Sequence, residues 1–415
     1  MNREAAPDRR LKIAYVVNQY PPNVTTGLGR YVELITPHLA RGHRLAVFTL
    51  NAGRQPVHER HGSVTVHRPL GRILGAVSRR RRLNRTRRLD FLLITANVVV
   101  SNWRYFLRLR RAAERPDLVA VHDSTNFLCG LLCHHVLRLP VVFHVHTTEY
   151  GVAPRRSIAD PLNAFAALER HLGRIARRVV VPTPEVRDQL AAAGWDPARI
   201  DVVRLGGTFE PLVAGLDRER LRRRAGDLRA RLGIPADAPV LLFVGRLERQ
   251  KGVHELLEAV PRMTEAVPGL RLVLLGEGDE AAARAAGNRV LTRGFVSGPA
   301  LTEYYAMADA CVFPSLFEPF GLVATESMAL GRPTILGAGF SRIFAGDPAR
   351  PAVRFVGGTG PADIADAVID VMTDPEARRA LGERGERFVR EELSWTRAAR
   401  ETLALYEESV WPPSA

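Results

Sequence analysis

Three cysteines in 415 residues cannot build a disulfide framework, and they fit a reducing compartment. Cys129 and Cys133 sit four apart, ahead of His134 and His135, a spacing that raises the question of a metal. Structural zinc sites bring a second ligand pair at regular spacing, and this run is apolar with helical period, so two core-facing thiols are expected and no metal. Long hydrophobic runs are also missing. The most apolar stretch, Phe91 to Leu107, is interrupted by Asn97, Ser101, Asn102 and Arg104, and is marginal against the ~20 residues a membrane span needs. The first ten residues have no apolar core of the kind a secretory signal requires. A soluble, cytoplasmic protein is expected, with the inner face of a membrane as the alternative address. Lysine is nearly absent, at Lys12 and Lys251. Acidic residues are in deficit: 44 against 59 basic ones leave a net charge of +15. Such a balance admits nucleic acid, anionic membrane or anionic small molecules as partners. The densest positive cluster runs from Arg79 to Arg88.

What is present is alternation. Apolar, β-rich runs at Leu11–Val17, Arg44–Thr49, Val64–Arg68, Leu118–His122, Val141–His146 and Val179–Pro182 predict strands. Amphipathic stretches such as Tyr31–Ala40 and Leu162–Ala176 separate them. Apolar strands alternating with helices imply a parallel sheet covered on both faces. The pattern breaks after Gly206 and Gly207, where Arg- and Asp-rich sequence without a strand leads to Gly233-Ile234-Pro235. It then resumes, with strands predicted at Val240–Val244, Arg271–Leu275, Val290–Arg293, Ala310–Pro314 and Pro333–Leu336, and helices at His254–Met263, Leu301–Ala308, Leu322–Ala329 and Ala362–Thr373. The organisation expected is an α/β unit over 1–205, a linker over 206–235, a second α/β unit over 236–388 and a closing helix in 389–415. Open α/β sheets bind ligands at the carboxyl ends of their strands, so chemistry is sought there.

The first strand runs into Thr26-Gly27-Leu28-Gly29-Arg30, with the next helix expected to start at about Arg30. Glycines between a strand and a helix let backbone N–H groups approach a phosphate, although a plain strand–helix turn reads the same way. In the second half, Gly245-Arg246 and Lys251-Gly252 leave a strand and enter a helix. A guanidinium fork beside a lysine point charge suits a diphosphate; two solvated loop cations are the alternative. Gly276-Glu277-Gly278 ends another strand in a tight turn suited to close approach of a nucleotide. The densest constellation runs from Pro314 to Pro333. Glu318 lies in a loop closed by Pro319-Phe320-Gly321, and Glu326 lies about one turn inside the following helix, which begins at Leu322. Two carboxylates so placed can accept hydrogen bonds from several hydroxyls, while the helix N-terminus can face phosphates.

The Glu318-to-Glu326 segment resembles the Glu-x7-Glu motif of the retaining glycosyltransferases of family 4, within the GT-B class. The resemblance covers nearly the whole chain: Pro21-Pro22 and Gly27-x-Gly29-Arg30-Tyr31-Val32, Arg41-Gly42-His43, Gly245-Arg246 with Lys251-Gly252, Gly276-x-Gly278, and Ser394-Trp395 with Leu405-Tyr406. It implies two Rossmann-like domains facing across a cleft and transfer of a sugar from a nucleotide diphosphate, with a UDP- or GDP-sugar expected, to a hydroxyl acceptor such as a bacterial glycan, lipid or secondary metabolite. Arg246 and Lys251 would hold the donor diphosphate, Glu326 the ribose hydroxyls and Glu318 the transferred sugar, with Phe320, Gly321 and Leu322 shaping the loop. Gly27 and Gly29 would present N–H groups to the phosphates. His146 would stand near the reacting sugar carbon, and His122 and Asp123, at another strand end, would line the acceptor side. His144, two residues before His146, would point to the opposite face of its strand. No cofactor is implied.

Two positions depart from the family pattern. Thr26 stands where the family has the first glycine of its opening motif, and Gly337-Ala338-Gly339-Phe340-Ser341-Arg342-Ile343 has no acidic residue where the family places one. The second departure leaves donor preference open. No Asp-x-Asp occurs, which disfavours the metal-dependent fold of the other major transferase class. Rival readings are a nucleotide-sugar epimerase or a phosphorylase of the same architecture, the latter needing a cofactor lysine for which none is spare. A basic binder without activity is the other rival. No nucleic-acid motif appears, so nucleic acid is not an expected partner; arginines beside the Phe91–Leu107 run leave contact with an anionic membrane open.

Overall fold

The computed structural model describes residues 10–24, 27–51, 55–69, 87–146, 162–213 and 215–412. Thr26 and the part of the arginine cluster before Arg87 lie outside these residues. The chain divides into two compact units, Met1–Arg204 with Trp395–Ala415, and Leu205–Ser394.

The sheet of the first unit comprises β1 (Lys12–Val16), β2 (Arg44–Phe48), β3 (His58–His61), β4 (Val64–His67), β5 (Leu118–His122), β6 (Val141–His144), β7 (Arg178–Val181) and β8 (Ile200–Val202). They are ordered β3-β4-β2-β1-β5-β6-β7-β8, with every pair parallel except β3 against β4. The second sheet comprises β9 (Val240–Val244), β10 (Arg271–Leu275), β11 (Val290–Arg293), β12 (Ala310–Phe313), β13 (Thr334–Leu336) and β14 (Arg354–Phe355), ordered β11-β10-β9-β12-β13-β14 and all parallel. Counted within its own unit, the second order is 3-2-1-4-5-6, that of doubly wound nucleotide-binding sheets. The direction of winding reverses between β9 and β12, and in the first sheet between β1 and β5. The strands are apolar end to end because helices cover both faces: every residue of β5 is buried, and so are Val240 to Phe243 of β9.

Each unit has its own core. In the second, Leu241, Phe243, Leu272 and Leu274 of the strands pack with Leu256, Val260 and Met263 of one helix and Ile364, Val368 and Val371 of another. Truncating one such fully buried leucine to alanine costs about 2–5 kcal/mol. In the first, Cys129 and Cys133 are buried among Val119, Val121, Phe143 and Leu172, so both thiols are core residues as expected.

The structure departs from the sequence expectations at several points. The helix after β1 begins at Gly27 rather than Arg30, which puts Gly27 and Gly29 inside its first turn. Gly29 is closely packed there: a Cβ would stand 2.8 Å from Gln19 Oε1 and 3.2 Å from Val24 Cα. The segment expected as a linker contains the helix Arg218–Arg231, capped by the Asp217 carboxylate on Arg220 N (2.9 Å). It belongs to the second unit, where Arg229 Nη2 donates to Met307 O (2.7 Å) and Asp309 Oδ2 (2.8 Å). Its sequence is polar on nearly every face, so no amphipathic period announced it. The boundary expected at 388 falls inside the single helix Pro375–Glu392, and the division lies between Ser394 and Trp395. The last helix, Trp395–Val410, packs against the helix Gly27–Leu39. Among the described residues no helix is long and apolar enough to cross a membrane.

Candidate functional site

In the second unit the residues singled out in the sequence gather at the carboxyl ends of β9, β10 and β12, around the point where winding reverses. After β9 the chain turns through a short 3-10 segment, Arg249–Lys251, and reaches Gly252 at φ 68°. A Cβ on Gly252 would stand 2.1 Å from Pro314 O, so only glycine lets the β9 loop lie this close to the end of β12. The two loops are then stitched together, with Leu316 N donating to Gln250 O (2.9 Å). This contact brings the Lys251 ammonium onto the Glu318 carboxylate as a half-buried ion pair. Glu318 is fixed from behind, its N–H donating to Gly339 O (3.0 Å). Gly321, at φ 82°, lets the helix Leu322–Ala329 start immediately; a Cβ there would run into the Phe340 ring at 2.2 Å and Glu318 Cγ at 2.8 Å.

Glu326 is buried one turn into that helix, and its Oε2 accepts from the hydroxyl of Tyr305 (2.8 Å). The phenol is held in its neutral, donating form, because burial and the neighbouring carboxylate push it well above its ordinary range. Gly276 and Gly278 lie at φ 141° and 144° where the β10 turn meets the β9 loop; added Cβ atoms would stand 1.9 Å from Gly245 O and 2.4 Å from Leu247 O.

Two expected members stand differently. Arg246 is exposed and pairs with Glu248 of its own loop (2.6 Å) rather than joining Lys251. The Phe320 ring is buried against Phe344, with centroids 5.3 Å apart, so it supports the loop from the core side. In the loop that lacks the acid, Ser341 is buried and caps Ile343 N (3.2 Å), while the Arg342 guanidinium lies 4.2 Å from the centre of the Phe355 ring.

In the first unit, His122 and Asp123 end β5 beside the winding reversal, and His146 follows β6. His122 Nδ1 and His146 Nε2 share a hydrogen bond of 3.0 Å. Asp123 takes φ 59°, a conformation seldom adopted outside glycine, and its Oδ1 accepts from His146 N (3.4 Å). The expectation that His144 faces away from His146 does not hold, because residues two apart share one face of a strand. His144 stands in register with His122, and the two rings stack at 4.2 Å. β6 ends at His144, and the His146 ring lies on the same side, 6.3 Å from that of His144 and 15° from parallel. His144 Nε2 is tied to the Tyr406 hydroxyl (2.7 Å) on the last helix. The Tyr31 ring closes the other side, 4.6 Å from that of His146.

Burial holds all three histidines neutral. It pushes His146 down to about 3, and burial with the adjacent imidazoles takes His122 and His144 well below the ordinary range. The three offer ring nitrogens within 4.8 Å of one another. Their planes are nearly parallel, and imidazole lone pairs lie in the ring plane, so the three do not converge on one point. Tyr305, Tyr406 and Tyr31 were missed as site partners. Tyr31 and Tyr406 were visible in the sequence as motif letters; nothing local marked Tyr305.

Two doubly wound sheets, each with polar and glycine-rich loops where its winding reverses, define the GT-B class. Residues 26–206 match the family described as "Glycosyl transferase 4-like domain", and residues 225–388 match "Glycosyl transferases group 1". The chain belongs to this family and is a glycosyltransferase. It is 31% identical over 416 residues to glycogen synthase of Mycobacterium tuberculosis, covering 95% of this chain and 94% of that one. It is 35% identical over 326 residues to the D-inositol 3-phosphate glycosyltransferase of Thermomonospora curvata, covering 71% and 73%. Among solved structures, sucrose-phosphate synthase from Thermosynechococcus elongatus superposes with a TM-score of 0.73 at 22% identity, covering 96% of this chain and 99% of that one. An Anabaena protein in complex with UDP-glucose superposes with a TM-score of 0.65 at 16% identity, covering 95% and 100%.

Proposed function

We propose that this glycosyltransferase moves a sugar from a nucleoside diphosphate donor to a hydroxyl acceptor with retention of anomeric configuration. The observation that carries the reading is the Lys251–Glu318 pair beside the start of the helix bearing Glu326. A cation for the departing diphosphate, a carboxylate for the sugar and a second carboxylate for ribose hydroxyls stand on adjoining loops of one sheet.

The chemistry assigned to these residues is as follows. The bond between the anomeric carbon and the diphosphate oxygen breaks, and negative charge grows on the phosphate. Lys251 stabilises that charge, and Arg246 joins it by leaving Glu248. Glu318 binds the sugar hydroxyls and steadies the positive charge at the anomeric carbon. The acceptor oxygen attacks from the face the diphosphate leaves, and its proton passes to the departing phosphate oxygen. No covalent enzyme intermediate forms. Glu326, oriented by Tyr305, receives the ribose hydroxyls, while Gly276 and Gly278 give the nucleotide room at the backbone. In the first unit His146, neutral and a hydrogen-bonding group, serves the reacting sugar; His122 and Asp123 serve the acceptor side, and Gly27 and Gly29 offer N–H groups to phosphate.

The donor is a nucleotide sugar, as the UDP-glucose complex of the Anabaena relative in fold supports. The site residues proposed are all organic groups, and no metal enters the steps. The test is a thermal-shift screen against UDP, GDP, ADP and dTDP, with and without magnesium. A ligand bound by the folded state alone raises Tm by mass action. One nucleotide is expected to raise Tm in the wild type and not in Glu326→Ala. A shift retained in that variant would remove Glu326 from the site, and one that requires magnesium would overturn the metal-free reading.

A further inference from the structure

The helix Arg87–Arg110 has work on both its faces. Ser101, Asn102, Tyr105, Phe106 and Leu109 are buried in the first unit. On the opposite side Ala96, Val99 and Trp103 are exposed at the three- and four-residue spacing of a single helical stripe, and Arg110 is exposed on the same stripe two turns on. Trp103 is 48% exposed and Val99 42%, unusual for large apolar side chains on adjacent turns. Trp103 is braced, its ring 5.6 Å from that of Phe106. Arg104, Arg108 and Arg111 run along one flank of the stripe, all exposed. Arg104 is anchored by a hydrogen bond from Nη1 to Pro69 O (3.0 Å). From Ala96 to Ala113 the sequence contains no aspartate or glutamate. The next acid, Glu114, already carries Lys12 and Arg44.

We infer that this stripe docks the first unit on the surface of an anionic lipid bilayer. Tryptophan suits the boundary between headgroups and acyl chains, where its ring is apolar and its N–H stays wet. Val99 enters beside it, and the guanidiniums of Arg104, Arg108 and Arg111 fork onto lipid phosphates. A nucleic acid would satisfy the arginines but leave Val99 in water. A bilayer satisfies both halves of the stripe, which is why the lipid is the occupant chosen. The helix lies on the membrane and does not cross it, in keeping with its short apolar content.

The experiment uses the full chain. Flotation is measured with vesicles of phosphatidylcholine alone and of equal parts phosphatidylcholine and phosphatidylglycerol. The wild type is expected to float with the anionic vesicles and not with the neutral ones, less so as salt rises. Removing the charges of Arg104, Arg108 and Arg111 to glutamine weakens partitioning by about fivefold for each arginine. All three are surface residues, so the circular dichroism spectrum should be unchanged, and Tm should fall by no more than the loss of the Arg104–Pro69 hydrogen bond entails. Position is read separately with brominated lipids. Wild type and Trp103→Phe are both read in a Trp411→Phe background; the lipids quench the tryptophan fluorescence, and the quenching falls sharply in Trp103→Phe, because the remaining Trp195 and Trp395 are buried. Three results would each overturn the inference: equal flotation with neutral vesicles, undiminished flotation of the triple variant, or quenching retained in Trp103→Phe. Tighter binding to a duplex oligonucleotide than to anionic vesicles, lost in the triple variant, would also overturn it and give the stripe to nucleic acid.

Discussion

Lys251 and Glu318, 67 residues apart in sequence, neutralise each other at the adjoining ends of β9 and β12. Under the proposed function, an entering diphosphate would offer Lys251 a stronger partner than Glu318 does and would free the carboxylate for the sugar. Lys251→Ala should therefore lose transition-state charge stabilisation, with kcat/KM down about 10²–10³-fold. Glu318→Gln should lower kcat while binding the nucleoside diphosphate at least as tightly as the wild type, because the ammonium no longer has to be pulled from a carboxylate. Titration calorimetry with the nucleotide, beside initial rates, reads both. Weaker nucleotide binding in Glu318→Gln would show that the pair organises the site rather than masking it.

Tyr305 orients Glu326 through one hydrogen bond inside the protein. A hydrogen bond to a charged group is worth about 1.5–3 kcal/mol. Tyr305→Phe should weaken nucleotide affinity by roughly tenfold or more, and the loss should shrink with a 2′,3′-dideoxy nucleotide, which has no hydroxyls for Glu326 to hold. An equal loss for both nucleotides would mean that Tyr305 acts on packing alone.

The product should carry the same anomeric configuration as the donor sugar. The coupling constant of the anomeric proton reads this directly once a donor and acceptor pair is found, and an inverted product would end the same-face mechanism.

The histidine column makes stability depend on acidity. His122, His144 and His146 all have folded-state pKa values held below the ordinary value, and His67 is pushed down to about 4 by burial and nearby positive groups. The unfolded chain then binds more protons than the folded one below about pH 6.5, so stability is full above that value and falls as pH drops towards the folded-state values. Tm should decline steadily from pH 7 to pH 5, and replacing His144 by phenylalanine should flatten the slope. A Tm flat across that range would show that the rings take up protons in place.

The two sheets were legible in the sequence because nearly all their strands are continuous apolar runs. Leu118–His122, Val240–Val244 and Arg271–Leu275 begin and end where the spacing placed them. The helix Leu322–Ala329 was equally plain, bounded by Gly321 and Gly331. β3 was not: His58–His61 is a polar, mostly exposed edge strand with no apolar alternation to report it. β14 is two residues long. In the site, Lys251, Glu318 and Glu326 announced themselves through local motifs. The Tyr305 hydroxyl did not, since its meaning lies in a partner on another helix. The bond from Tyr406 to His144 spans 262 residues, and no window of sequence contains both ends.

The last helix gives the protein a particular order of birth. Trp395–Val410 completes the first unit, yet it leaves the ribosome after the whole of Leu205–Ser394. At 5–20 residues per second the first sheet waits roughly 10–40 s for its final helix, with His144 lacking its tyrosine and the surface around Tyr31 uncovered. The second unit is contiguous and can close during that wait. A stop codon just after Ser394 would leave the proposed donor residues intact and the first unit permanently unfinished, so a truncation that spares every residue of the second unit falls on the half of the protein that was made first.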